Sequence, residues 1–367
     1  MDNIPVFKAI SGELSKIWNY SWIPVSLDPK TFSELTRANE LALKIIAEQY
    51  REGHYENNSH PFTHKISCLD DPEISIVPFR IDYLKKRDGT FAMYDLNTQP
   101  GVPGSFFWEE FWRQRGTDRF IQHGKELRYF RIFPILGDIF KDHSGDRPRI
   151  AMFQERDPMM GKSTLRGLTT ICEKTSSFGY YNIDFVQERD DLEGYHVIEP
   201  FYFIRGDVTK VFSNYTTALK TGRPLASNLK LEPYTSKDMS FATNMESYLD
   251  SGEGEFLRER IAFPSKGDGV KKRLYGMSGT GYYDGNDSIP WSKELVCQER
   301  LFPERCQVSR GKDIIEMMYD VGITSIMVFR GCEMVDFHPV VDITIRAKEE
   351  HPISGPDTNV VPAAVEI

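Results

Sequence analysis

Two aspartates whose spacing brings them face to face are the first chemistry in this sequence. Between Phe79 and Asn97 the chain reads FRIDYLKKRDGTFAMYDLN. Two alternating polar–apolar segments flank Arg87-Asp88-Gly89-Thr90, and Asp-Gly between such runs is the strongest short-range hairpin signal. A turn centred on Asp88-Gly89 pairs Asp82 with Asp95 and Arg80 with Asn97, and puts all four on one face. The other face then carries Phe79, Ile81 and Tyr83 against Ala92, Tyr94 and Leu96, a core surface. Side chains directly opposite lie about 4.5–5.5 Å apart, where like charges repel. Two facing carboxylates beside an amide oxygen need a cation or a shared proton. Oxygen-only ligands suit a hard ion such as Mg²⁺. A solvated hairpin whose Arg80 neutralises both acids fits the same pattern.

Further along, lysines and glycines recur in combinations suited to phosphate. A short strand carrying Lys271 and Lys272 runs into a loop with Gly276, Ser278, Gly279, Gly281 and Gly285. Glycines let a backbone offer its amides to phosphate oxygens, and a preceding lysine adds a point charge. A plain glycine-rich hairpin tip has the same composition. The strand from Leu295 to Leu301 turns from apolar to charged at Gln298-Glu299; it suits an adenine on its backbone and a ribose on Glu299, or an ordinary sheet edge. Gly161-Lys162-Ser163-Thr164 is not a P-loop, because Arg156 stands where the pattern needs glycine. His54, His60 and His64 lie in a polar loop without metal-ligand spacing and read as surface residues.

Regular elements must position these groups. Asp28-Pro29 announces a helix, and Leu35, Ala38, Ala42, Ile45 and Ile46 recur at helical spacing from Thr31 to Arg51. After the hairpin comes PGVPGS, with Ser105 as N-cap of a helix whose Phe106, Phe107, Trp108, Phe111 and Trp112 face the core. The polar break at residues 141–149 changes the period. Strand Ile150–Phe153, helix Lys162–Ser177, strand Tyr181–Val186, strand Val197–Ile204 and helix Val208–Leu219 imply a small parallel α/β sheet. A helix is expected from near Ser236-Lys237 and another at Asp313–Tyr319. Strands follow at Thr324–Phe329, Met334–Phe337 and Val340–Arg346, then an exposed tail.

The 367 residues suffice for two or three lobes. A formal charge of −9 argues against a general nucleic-acid binder, though not against a local phosphate site. Five scattered cysteines without a CxxC read as reduced thiols of a cytosolic protein. The start has neither a positively charged lead nor an apolar core, so no signal peptide is expected. No run approaches the roughly 18 apolar residues of a membrane span. Asn57, Asn214 and Asn286 therefore read as chance glycosylation motifs.

Taken in this order, the parts resemble the circularly permuted branch of the ATP-grasp superfamily, above all the synthetase domain of glutathionylspermidine synthase and its small relatives. That family's Arg-x-Asp, short hairpin, Glu-x-Asn signature is matched by Arg80-Ile81-Asp82 and Asp95-Leu96-Asn97. Its Asn…Lys segment is matched by Asn228 and Lys237, and its Lys-Pro-x-x-Gly-x-x-Gly lid by Lys272 to Gly279. Its Gln-Glu hinge is matched by Gln298-Glu299. The permuted order has the nucleotide lysines after the metal hairpin, as here. Two departures stand out: Asp95 replaces the usual Glu, and Arg273 the usual Pro, which leaves Lys271 as a rival of Lys272.

The resemblance implies an α/β protein of α+β lobes with an ATP-grasp fold in permuted order. It would comprise a scaffold and metal-hairpin lobe (1–145), a small α/β subdomain (146–225), a glycine-rich antiparallel lid lobe (226–310), and return strands with the tail (311–367). It implies ATP-dependent ligation of a carboxylate to an amine through an acyl phosphate, on small-molecule substrates, with neither nucleic acid nor membrane as partner. In that reading Asp82, Asp95 and Asn97 hold Mg²⁺, two ions in the family, and Arg80 steadies the reacting oxygens. Lys237, Lys272, Gly276, Ser278, Gly279, Gly281, Gln298, Glu299 and Leu301 would bind ATP. A phosphotransferase and a non-catalytic nucleotide-binding subunit are the rival readings.

Overall fold

Apolar runs from both halves of the chain meet in one sheet. The computed structural model describes residues 19–54, 62–86, 88–98, 103–145, 147–153, 162–186, 191–200, 208–235, 237–263, 270–273, 282–283, 295–299, 301, 304–310, 312–349 and 359–367. Along the chain come β1 (Asn19–Tyr20), β2 (Val25–Leu27), β3 (Ile74–Lys85), β4 (Phe91–Asn97), β5 (Arg119–Gln122) and β6 (Lys125–Arg128). Next are β7 (Arg149–Phe153), β8 (Asn182–Val186) and β9 (Val197–Glu199), then β10 (Val270–Arg273), β11 (Tyr282–Tyr283) and β12 (Leu295–Gln298). The last four are β13 (Glu304–Arg310), β14 (Asp313–Arg330), β15 (Glu333–Lys348) and β16 (Asn359–Glu366).

The large sheet has the order β4-β3-β14-β15-β16-β6-β5, with β13 beside β14 and β1 and β2 beside β16. β8, β7 and β9 form the small parallel sheet expected from the alternation of strands and helices. The helices Lys162–Ser177 and Val208–Leu219 also form as read from the periodicity. β11, β10 and β12 form a separate antiparallel sheet. The first helix among the described residues runs Pro29–Glu52, with Asp28 capping Thr31 N at 3.0 Å and Gly53 closing it at φ +69°. No helix among the described residues is long and apolar enough to cross a membrane. None of the five cysteines is in a disulfide, and His54 and His64 are exposed.

Alternation divides the sheet into two faces. One face carries Phe79, Ile81, Tyr83, Val321, Ile323, Ile343 and Ile345 into a core shared with Leu35, Ala38, Ile45 and Ile46 of the first helix. The opposite face is split along its length. Ile76, Ile326 and Val328 lie in a second core under Phe106, Phe107, Trp108 and Phe111 of the helix Pro103–Arg115. Trp108 anchors that helix by stacking on Tyr129 at 4.4 Å and donating to Ala363 O at 2.9 Å. The other half of this face is polar, and it holds the hairpin residues.

Four expectations change. Asp313–Tyr319 is strand, not helix: it pairs residue for residue with β13, from Glu304 opposite Tyr319 to Arg310 opposite Asp313. Those ladder bonds outweigh a local pattern that fits either period. The expected tail is a buried strand, since Asn359–Glu366 joins β15 to β6 and only its last residue is partly exposed. A proline in a run usually argues against a central strand, yet Pro362 sits opposite Thr344. The aromatic helix starts at Pro103, which suits its first turn, so Ser105 lies inside the helix rather than capping it. The helix expected from near Ser236-Lys237 is replaced, among the described residues, by short 3₁₀ turns at Ser240–Ala242 and Met245–Ser247 before an α-helix at Ser251–Arg258.

Candidate active site

The hairpin pairs as its sequence requires at its open end: Arg80 faces Asn97 and Asp82 faces Asp95. Nearer the turn it differs. Tyr83 faces Met93 and Leu84 faces Ala92, with a bulge between Asp82 and Tyr83. The bulge absorbs one residue and changes the faces around it. Met93 joins Tyr83 in the first core, whereas Ala92 and Tyr94 cluster with Leu84, Ala262 and Leu301 on the face of Asp82. Tyr94 is thereby delivered to the polar face.

β14 and β15 extend this face into a grid. Thr324 stands beside Arg80 and opposite Asp342; Gly322 stands beside Asp82 and opposite Thr344; Asp320 stands opposite Arg346. The sequence marks them as polar residues at every second position, Asp320, Gly322 and Thr324 in one run and Asp342, Thr344 and Arg346 in the next. Reading Asp313–Tyr319 as a helix hid the first set.

Asp82 is fully buried, and a guanidinium is ion-paired to each of its oxygens. Oδ1 faces Arg80 Nε at 2.9 Å. Oδ2 takes Arg346 Nη2 at 2.8 Å, with Arg80 Nη2 and Asn97 Nδ2 each at 3.3 Å. Burial alone would push this carboxyl up, but Arg346 and then Arg80 hold it below its ordinary value. Arg346 also binds Asp320, with Nε on Oδ1 at 3.1 Å, and donates to Tyr94 OH at 3.0 Å. Tyr94 in turn donates to Asp320. Burial raises the Asp320 carboxyl despite Arg346, and raises the Asp342 carboxyl as well.

Gly322 is where side-chain absence matters. A Cβ there would lie 2.8 Å from Asp82 Oδ1 and 2.9 Å from Arg80 Cδ. Neither atom can yield, because both belong to the ion-pair network. Gly322→Ala is expected to cost about 1–3 kcal/mol by overpacking and to displace Arg80. Urea unfolding checks the first effect.

Lys237 and Asp95 form an ion pair at the open side of the grid. The lysine's backbone is held separately: Gln298 Nε2 of β12 donates to Lys237 O at 2.6 Å. Leu301 is buried against Tyr94 and Leu84. The fold therefore brings Arg80, Asp82, Asp95, Asn97, Lys237, Gln298 and Leu301 together. Glu299 follows Gln298 and is exposed. Only the backbone of Lys272 is described, opposite Val296 and Tyr282. Gly276, Ser278, Gly279 and Gly281 lie outside the described residues. Asn228 is a structural hub, donating to Tyr50 OH at 3.0 Å and Ser75 Oγ at 3.1 Å while accepting from Tyr215 OH at 3.0 Å.

One further acid abuts the hairpin. Glu232 accepts from Thr98, the residue after Asn97, and burial pushes its carboxyl up to about 7, against hydrogen bonds from Thr98 and Thr235. The folded protein thus keeps a proton that the unfolded chain releases, so Glu232 weakens the fold increasingly as pH rises from about 5 to 7. Glu232→Gln is expected to stabilise by about 2 kcal/mol at pH 8 and to change little at pH 5. Urea midpoints at the two pH values read the difference.

Among the described residues no group of three or more His, Cys, Asp and Glu is disposed to hold a metal ion. The hairpin's donors, two carboxylates and an amide, suit a hard divalent ion in kind. Arg80, Arg346 and Lys237 suit the phosphates that would accompany it. In the structure these same cations sit on the carboxylates.

No family model matches the sequence, and no curated protein does. Among solved structures, a glutathione synthetase-like effector from Globodera pallida, in its apo form, superposes with a TM-score of 0.61 at 11% identity. The match covers 98% of this chain and 97% of that one. The two share a fold. The likeness extends over nearly the whole chain, so the grid lies within the shared fold rather than on an addition to it.

Proposed function

We propose that this protein is an ATP-dependent carboxylate–amine ligase that forms an amide through an acyl phosphate, releasing ADP and phosphate. The observation that carries the reading is the hairpin grid, in which Asp82, Asp95 and Asn97 share one face with Arg80, Arg346 and Lys237. Carboxylate and amide donors beside three cations are the parts that phosphoryl transfer requires. The glutathione synthetase-like fold supports the same class of chemistry. We read the motif order, hairpin before Lys237 and β10, as that of the permuted ATP-grasp branch.

Asp82, Asp95 and Asn97 would hold Mg²⁺, which when bound neutralises phosphate charge and orients the terminal phosphoryl group. Arg80 would hold the oxygens of the reacting carboxylate as negative charge develops there. Its position is fixed by Asp82 on one side and by the space over Gly322 on the other. Arg346 keeps Asp82 ionised and aimed. Lys237 would meet the triphosphate, and Gln298 and Leu301 would place the base against the hairpin. Enclosing the intermediate matters because an acyl phosphate exposed to water hydrolyses.

A non-catalytic nucleotide-binding protein is the second reading, favoured by the Asp82 carboxylate being engaged on both oxygens. Product analysis separates the alternatives. With Mg·ATP, a pool of amino acids and a pool of amines, mass spectrometry is expected to find an amide whose formation matches ADP released. A phosphorylated product without amide would make the protein a phosphotransferase. Tight nucleotide binding without any product would favour the second reading.

A further inference from the structure

The grid balances its own charge. Asp82, Asp95 and Asp320 face Arg80, Arg346 and Lys237, three acids against three cations. Asp342 stands one row away, opposite Thr324, and takes part in none of these ion pairs. A free divalent ion entering this region would have to eject Lys237 from Asp95 and would leave two uncompensated positive charges in a largely buried site. Such a charge is strongly disfavoured where water is excluded. A polyphosphate changes the balance, because it brings the negative charge that both the ion and the displaced lysine need.

The geometry allows that exchange without a backbone movement. Lys237 O is held by Gln298 Nε2, so the main chain at this point is tied to β12. The ammonium sits at the end of a flexible four-carbon stem, and its side chain is 13% exposed, beside Asp95 at 20%. Asp82 lacks this freedom: it is fully buried and held by two guanidinium groups and an amide. Asp95 is therefore the carboxylate that can change partner, and Lys237 is the partner that can leave.

We propose that Lys237 is a resident cation that occupies Asp95 until a polyphosphate draws it away, so that a divalent cation enters only together with the nucleotide. This rests on the functional reading above and specifies how that site is loaded. The coupling is reciprocal: the nucleotide raises metal affinity by the same factor as the metal raises nucleotide affinity. Lys237 serves twice, first as the cation of Asp95 and then as a phosphate ligand.

Mn²⁺ binding, followed by electron paramagnetic resonance with and without a non-hydrolysable ATP analogue, tests this without recourse to activity. The wild-type protein is expected to bind Mn²⁺ alone at least tenfold more weakly than in the presence of the analogue, after allowance for the metal–analogue complex in solution. Lys237→Met, which keeps the stem and removes the charge, is expected to bind Mn²⁺ alone at least tenfold more tightly than wild type. Lys237→Gln provides a second uncharged variant, and thermal unfolding checks that both are folded. Equal Mn²⁺ affinity in wild type with and without bound analogue would overturn the proposal. So would unchanged analogue-free affinity in the folded variants. If the wild-type protein binds no analogue at all, the functional reading falls and takes this inference with it.

Discussion

Arg346→Met is expected to lower the free energy of unfolding by about 3–5 kcal/mol, the range seen when one partner of a buried ion pair is removed. The reason lies in what remains. Asp82 and Asp320 are both fully buried, and Arg346 is the cation they share. Without it Asp320 keeps Tyr94, and Asp82 keeps Arg80 and Asn97, but two carboxylates face one another across Gly322. Methionine replaces the volume, so the loss comes from charge rather than from a cavity. The variant should be more nearly normal in acid. Freed of Arg346, the Asp82 carboxyl rises above its unfolded value and the Asp320 carboxyl, already raised, rises further, so their penalty is absent when both states are protonated and grows as pH rises. Urea unfolding at pH 5 and pH 8 is expected to show the smaller loss at pH 5. Adding Asp320→Asn should recover part of the stability, because the two sites are in direct contact and their effects are not additive.

Arg80→Lys is expected to lower turnover by about 10²–10³-fold, the scale of losing a preorganised donor to a developing oxyanion. Lysine keeps a positive charge near Asp82 but not the planar fork that holds Asp82 with Nε at 2.9 Å and Nη2 at 3.3 Å. Affinity for the nucleotide is expected to change only a few-fold, since Lys237 and Arg346 remain. A fall in kcat with KM for ATP nearly constant would identify Arg80 with the reacting oxygens. A rise in KM alone would make it a phosphate-binding residue.

Within one network, Arg346 serves stability and Arg80 serves the chemistry. Arg346 never has to reach a substrate to matter, because it fixes the charge and direction of Asp82. Arg80 is bound to the same carboxylate and has the space over Gly322 in which to lie. Position 322 admits no side chain for that reason, and its glycine is as much part of the site as the charged residues around it.

How much of this was legible in the sequence follows from how local each feature is. The first helix, the small parallel sheet and the aromatic helix's core face depend on short-range periodicity and capping. So does the pairing of Asp82 with Asp95, although the bulge beside Tyr83 reaches it by a different route. Tyr94 escaped because a bulge changes which face a residue occupies, and nothing in TFAMYDLN announces one. Arg346, Asp320 and Gly322 escaped because their meaning lies in register between β3, β14 and β15, strands distant in sequence. Asn359–Glu366 looked like a tail after its prolines and glycines. Its burial comes from being paired on both sides, by β15 and by β1, β2 and β6.

The most direct measurement is ADP release from Mg·ATP by the wild-type protein and by Asp82→Asn, with carboxylate and amine pools supplied separately and together. Release is expected to require both pools and to fall at least a hundredfold in Asp82→Asn. Release that needs neither pool, or that survives in Asp82→Asn, would contradict a ligase built on this hairpin.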